Sequence, residues 1–121
     1  MLYHRAFERT QLQEFLRVYD LRSMEIVGYV ADISLDGIQL VGKDPFEIDQ
    51  LYQFYIELPA EQIGGEPQLE VAANIIWRKE DRIPNYFDAG FQFLGLEWES
   101  KKSIDFLTHH YAADDQYLMM Q

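Results

Sequence analysis

The chain of 121 residues contains no cysteine. That excludes a disulfide framework and a thiolate metal site, and a reducing compartment is the simplest expectation. Long apolar runs are missing too. The opening MLYHRAFERTQLQEF is interrupted by charge throughout, so it fits no signal peptide. No run approaches the roughly 20 apolar residues that a bilayer-spanning helix needs. Cations are scarce: ten Lys and Arg against 21 Asp and Glu leave a formal charge of −11. Such a field repels nucleic-acid polymers and anionic membrane surfaces. A soluble, cytoplasmic protein with neither as partner is expected. Catalytic motifs are also lacking, with no Gly-rich phosphate loop, no HExxH and no GxSxG elbow. His109 and His110 are neighbours on a helical stretch and point about 100° apart, which suits a helix end better than a shared metal. Neither enzyme activity, nor a metal, nor a cofactor is expected.

What is there suffices for one folded domain, since 48% of the residues are apolar and 15% aromatic. Glu14–Leu21 reads as a strand, and Glu25–Ser34 as a second. A hairpin at Leu35–Gly37 leads into Ile38–Gly42, and Phe46–Gln50 is a connection with room for one turn of helix. Leu51–Leu58 alternates, with Tyr52, Phe54, Ile56 and Leu58 on one face. Leu69–Lys79 follows, with Leu69, Val71, Ala73, Ile75 and Trp77 expected on its buried face and Arg78 facing out. Tyr86–Leu94 turns Phe87, Ala89, Phe91 and Phe93 to one side. The period then changes to a helix over Glu97–Tyr111, with a cap expected at Ser100. The fold class is therefore mainly β: a six-stranded antiparallel β-barrel with a C-terminal α-helix. We divide the chain into an arm (1–12), the barrel with its helix (13–111) and a tail (112–121).

Two stretches carry candidate chemistry. In Gly28–Val41, strand alternation sends Asp32 and Ser34 one way and Ile33 the other, just before Asp36-Gly37. The result is a carboxylate and a hydroxyl at a hairpin end. Near the start, Arg5 and Arg9 stand four apart; on a helix they would share a face and gain from a common anion, while the alternative is a solvated terminus with Glu8 as counter-charge. Arginine forms bidentate contacts with phosphates and guanine edges, and six of the ten basic residues are arginine.

Together, Arg5-Ala-Phe-Glu-Arg9 and Asp32-Ile-Ser34-Leu-Asp-Gly37 resemble the RxxxR and [D/N]xSxxG motifs of the PilZ domain family, bacterial receptors for cyclic di-GMP. Trp77-Arg78 and Tyr86-Phe-Asp-Ala-Gly90-Phe-Gln-Phe93 also look like that family's later strands, and the resemblance covers about residues 5–107. It implies cyclic di-GMP as ligand, held by Arg5, Arg9, Asp32, Ser34, Gly37 and Arg78, with the arm closing over it. His4 stands where many relatives carry a further basic residue, leaving one ligand molecule or an intercalated pair open. Because the arm begins almost at Met1, the expected output is to a separate, unidentified downstream protein rather than to a preceding domain. The rival reading is a protein-interaction adaptor whose nucleotide site is unused. An oligonucleotide-binding barrel is a third, opposed by the charge.

Overall fold

The computed structural model describes residues 10–11, 16–58 and 68–110. In chain order the elements are β1 (Thr10–Gln11), β2 (Arg17–Asp20), β3 (Ile26–Ile33), β4 (Gly37–Gly42), β5 (Leu51–Glu57), β6 (Gln68–Glu80), β7 (Phe87–Leu94) and α1 (Trp98–His110). The strands run β3-β2-β5-β6-β7-β4, all antiparallel, and β4 returns to β3, so six strands close a barrel. Closure removes the free edges that an open sheet would expose. The two-residue β1 lies outside that count and pairs with the last residues of β3.

The interior is apolar because alternate residues of every strand point into it. Val18, Val30, Ile33, Ile38, Leu40, Phe54, Ile56, Ala73, Ala89 and Phe91 are all fully or almost fully buried. Burying each of the larger side chains stabilises the fold by roughly 1.5–3 kcal/mol relative to leaving it in water. Phe46, Tyr52, Phe54 and Phe91 meet edge-on or stacked, with Phe54 and Phe91 centroids 5.0 Å apart at 89°. Phe46 belongs to the 43–50 connection, which forms no helix; Tyr52 pins that connection, its hydroxyl bonding both the N–H and the carbonyl of Glu47 at 2.8 Å. Ile104 and Leu107 of α1 add two buried side chains to the same core.

Three bulges bend the ladder. β3 carries one extra residue against β2, between Gly28 and Ile26, and another against β4, between Val30 and Asp32. β6 carries one against β7, between Ile75 and Trp77. Each inserted residue shifts the alternation that follows by one step. At the second bulge this reconciles two demands: Val30 and Ile33, an odd number of residues apart, both face the core.

The third bulge corrects the expected face of β6. Leu69, Val71 and Ala73 are buried and Ile75 packs on the core, as the alternation predicts. After Ile76 the phase reverses, so Trp77 is no part of the core cluster. The helix also begins earlier than a cap at Ser100 requires. Gly95 turns the chain at φ +55°, and the Lys101 N–H donates to the Glu97 carbonyl at 3.0 Å, so the capping position falls at Glu97. β2 is shorter than the expected Glu14–Leu21, and residues 12–15 lie outside the described residues, as do Tyr111 and the tail.

Candidate ligand-binding site

The hairpin between β3 and β4 builds a compact polar corner. Asp32 pairs with Gln39 and Ile33 with Ile38, and the Ser34 N–H donates to the Gly37 carbonyl at 2.9 Å. The Ser34 hydroxyl donates to the Asp36 carboxylate, and the Asp36 N–H reaches back to Ser34 Oγ at 3.3 Å. Asp32 and Ser34 are only 8% and 2% exposed, so this corner is a fixed part of the barrel wall rather than a pair of loose surface groups. The Asp36 carbonyl accepts from the Phe93 N–H at 3.0 Å, which ties the turn to β7. Asp36 was legible in the sequence only as a turn residue; the structure makes it the partner of the Ser34 hydroxyl. The positive-φ positions among the described residues are Met24, Asp49, Asn85 and Gly95, so the hairpin does not use left-handed backbone at Gly37.

The register lays further residues beside Asp32. Across the sheet, Gln11, Asp32, Gln39, Gly90 and Trp77 occupy one row. Ile33, next to Asp32, faces the core with Ile38 and Phe91, so Asp32, Gln39 and Trp77 face outward. Glycine is needed at position 90 because the indole lies directly over it: a Cβ there would come within 2.3 Å of Trp77 Nε1. Lys79 Nζ sits 5.5 Å from the Trp77 ring centroid, within range of a cation–π contact. Asp32 and an indole therefore flank one shallow stretch of wall, floored by Gln39 and Gly90. Sequence reasoning missed Trp77 here, and its signal was present only as the Trp-Arg pair that the bulge later reorients.

One row further along stand Tyr29, Val41, Asp88 and Lys79. Asp88 is 5% exposed, and among the described residues its Oδ1 finds no hydrogen-bond partner. Burial, and then the neighbouring Asp81 carboxylate, push the Asp88 carboxyl up to about 6. Asp81 is itself held below the usual carboxylate range, chiefly by the Ile83 N–H and then by Asp88.

Of the sequence-predicted site residues, the structure brings together Asp32, Ser34 and Gly37. Arg78 is exposed, as expected, but stands apart from that corner: it pairs with Ala89 at the end of the row that includes Leu40 and Val30, and its Nη1 donates to the Phe46 carbonyl at 2.6 Å. The bulge at Ile76 sets this register, placing Trp77 opposite Gly90 and Arg78 opposite Ala89. Arg5 and Arg9 lie outside the described residues. Among the described residues no cluster of three or more His, Asp or Glu could hold a metal ion, and no helix is long and apolar enough to cross a membrane.

Solved structures share this barrel. The PilZ domain of YcgR from Escherichia coli, solved with c-di-GMP, aligns with a TM-score of 0.70 at 12% identity, covering 98% of this chain and 99% of that one. The Bacillus subtilis inhibitor of motility MotI/DgrA aligns with a TM-score of 0.67 at 13% identity, covering 98% of this chain but 54% of the other, so this chain spans about half of that protein's structure. At such identities the likeness shows the fold. No curated protein matches the chain. The family model of the PilZ domain matches residues 3–109, and with the barrel and the Asp-x-Ser-x-x-Gly corner where that match runs, the chain belongs to the PilZ domain family.

Proposed function

We propose that this protein is a bacterial, cytoplasmic cyclic di-GMP receptor in which Arg5 and Arg9 close onto a ligand held against Asp32 and Ser34. The observation that carries the reading is the pairing of β1 with the end of β3: Thr10 lies opposite Ile33 and Gln11 opposite Asp32. Arg9 is joined to Thr10 by one peptide bond, and consecutive Cα atoms are about 3.8 Å apart. Arg5 is five residues from the same anchor, within about 18 Å of it at full extension. An arm tethered at that point can reach the Asp32–Ser34 corner without crossing the barrel. The likeness to a PilZ domain solved with c-di-GMP supports the choice of ligand.

The chemistry is complementary. A guanidinium forks onto guanine O6 and N7 or onto a phosphate, and supplies the positive charge that the corner lacks. Asp32 accepts from guanine N1 and N2. Ser34 gives its proton to Asp36 and so holds the corner in shape, while the indole of Trp77 offers a face on which a base can stack. Arg78 contributes indirectly, by anchoring the 43–50 connection at Phe46. Ordering of the arm on binding is the change of shape that a downstream protein reads.

Calorimetric titration with cyclic di-GMP, with cyclic di-AMP and GTP as controls, tests the reading. Saturable heat with cyclic di-GMP alone is expected, and Arg5→Ala and Arg9→Ala should each weaken it at least about tenfold, or ~1.4 kcal/mol. Unchanged affinity in both variants removes the arm from the mechanism. Absence of any heat leaves the barrel as an adaptor that does not use nucleotide.

A further inference from the structure

The outer wall also holds a groove of about 270 Å³ between β5, β6, the end of β7 and the start of α1. Leu21, Ala72, Leu94 and Leu96 line it together with Glu70 and Glu97, and polar groups supply the larger part of its exposed lining. Sites for drug-sized ligands run to about 300–1,000 Å³, so this volume suits one large side chain better than a small molecule. Leu51, two residues before the Gln53 that also borders the groove, is 55% exposed; Leu94 is 39% exposed and Trp98, next to Glu97, 71%. Of these, Leu94 leaves an apolar group open to water within the groove itself.

We propose that this groove docks a cationic segment of another protein, which inserts one large apolar side chain and sets Lys or Arg against Glu70 and Glu97. Charge selects this occupant. None of the residues lining the groove is basic, and the whole chain carries −11. A second copy would bring the same acidic groove and the same net charge. The chain's own tail follows α1, whose 13 residues span about 20 Å away from the groove, and it carries Asp114 and Asp115. Both of these occupants meet repulsion where a cationic partner meets attraction. The groove also adjoins the polar corner: the Asp36 carbonyl is bonded to the Phe93 N–H, and Phe93 precedes Leu94 in the groove wall.

The test uses the full chain without nucleotide, so it does not depend on the ligand reading. An acetylated peptide with a Leu-Phe pair flanked by arginines is titrated while amide shifts are followed by NMR, beside the same peptide with glutamates replacing the arginines. Binding of the arginine peptide alone is expected, with shifts centred on Ala72, Leu94 and Glu97. Glu70→Lys with Glu97→Gln should weaken it about tenfold, as should Leu94→Gln; all three side chains are exposed, and glutamine at 97 removes the charge without setting a cation at the N-terminus of α1. Equal binding of the two peptides, shifts centred elsewhere, or no binding overturns the proposal. So does tighter binding after removal of residues 112–121, which would give the groove to the tail, or a dimer in sedimentation that Leu94→Gln dissociates.

Discussion

At the scale of single residues, three positions make separable demands. At Gly90 any side chain collides with the Trp77 indole, and the ring is the easier group to displace. Gly90→Ala should therefore expose Trp77, red-shift its fluorescence and weaken cyclic di-GMP binding while the barrel stays folded. Ser34→Ala removes the hydroxyl that joins Asp36 from both directions, and should lower stability by about 1 kcal/mol in chemical denaturation. Asp88 gives a pH signature. Its folded carboxyl holds a proton up to about pH 6, whereas the unfolded chain releases it near the ordinary 3.8. The folded state thus binds more protons between those values, and stability falls as pH rises through the window. Asp81 acts the other way and lower: its depressed carboxyl contributes stability above 3.8 that is lost in stronger acid. Asp88→Asn imitates the protonated form. Thermal melts of variant and parent should coincide near pH 4 and separate by pH 7 with the variant more stable; a constant gap would remove Asp88 as the titrating group.

At the scale of elements, the junction between β7 and α1 depends on one left-handed residue. Gly95 has φ +55°, with open space where a Cβ would stand, so only backbone strain opposes a side chain there. Gly95→Ala should cost about 1–2 kcal/mol, seen as a lower denaturation midpoint with an unchanged far-ultraviolet spectrum. The helix beyond it is held by tertiary contact, since Ile104 and Leu107 are fully buried while Trp98, Glu99, Lys101, Lys102 and Asp105 face water. The bulges matter at the same scale. One inserted residue at Ile76 takes Trp77 out of the core-facing alternation and lays its indole over Gly90, in the row that holds Asp32.

At the scale of the whole molecule, charge and closure dominate. A net −11 on 121 residues pushes the compact state apart, and the Arg17–Glu57 contact at 3.5 Å, with both side chains about half exposed, offsets little of it. Raising salt from about 10 mM to about 150 mM shortens the screening length from roughly 30 Å to 8 Å, so the melting temperature should rise. A fall would show that local ion pairs outweigh the overall repulsion. Closure of β4 onto β3 makes the barrel one cooperative body, and the β3–β4 hairpin that closes it also carries Asp32 and Ser34. A ligand gripping that hairpin therefore acts on the seam of the barrel.

The six strands of the barrel, their order along the chain, the final helix and the hairpin that carries Asp32 and Ser34 were all legible in the residues; the short pairing of Thr10–Gln11 was not. Alternation of apolar and polar positions and the Asp-Gly turn are local signals, so a one-dimensional string carries them. The face Trp77 takes was not legible, because a bulge is a mismatch between two strands and neither strand alone encodes it. The partner of the Ser34 hydroxyl, the burial of Phe46 under Tyr52 and the raised proton affinity of Asp88 likewise depend on groups that only folding brings close. The sequence by itself determined the periodicity and the chemical inventory; the closed barrel, by setting the register between strands, decided which of those groups face one another.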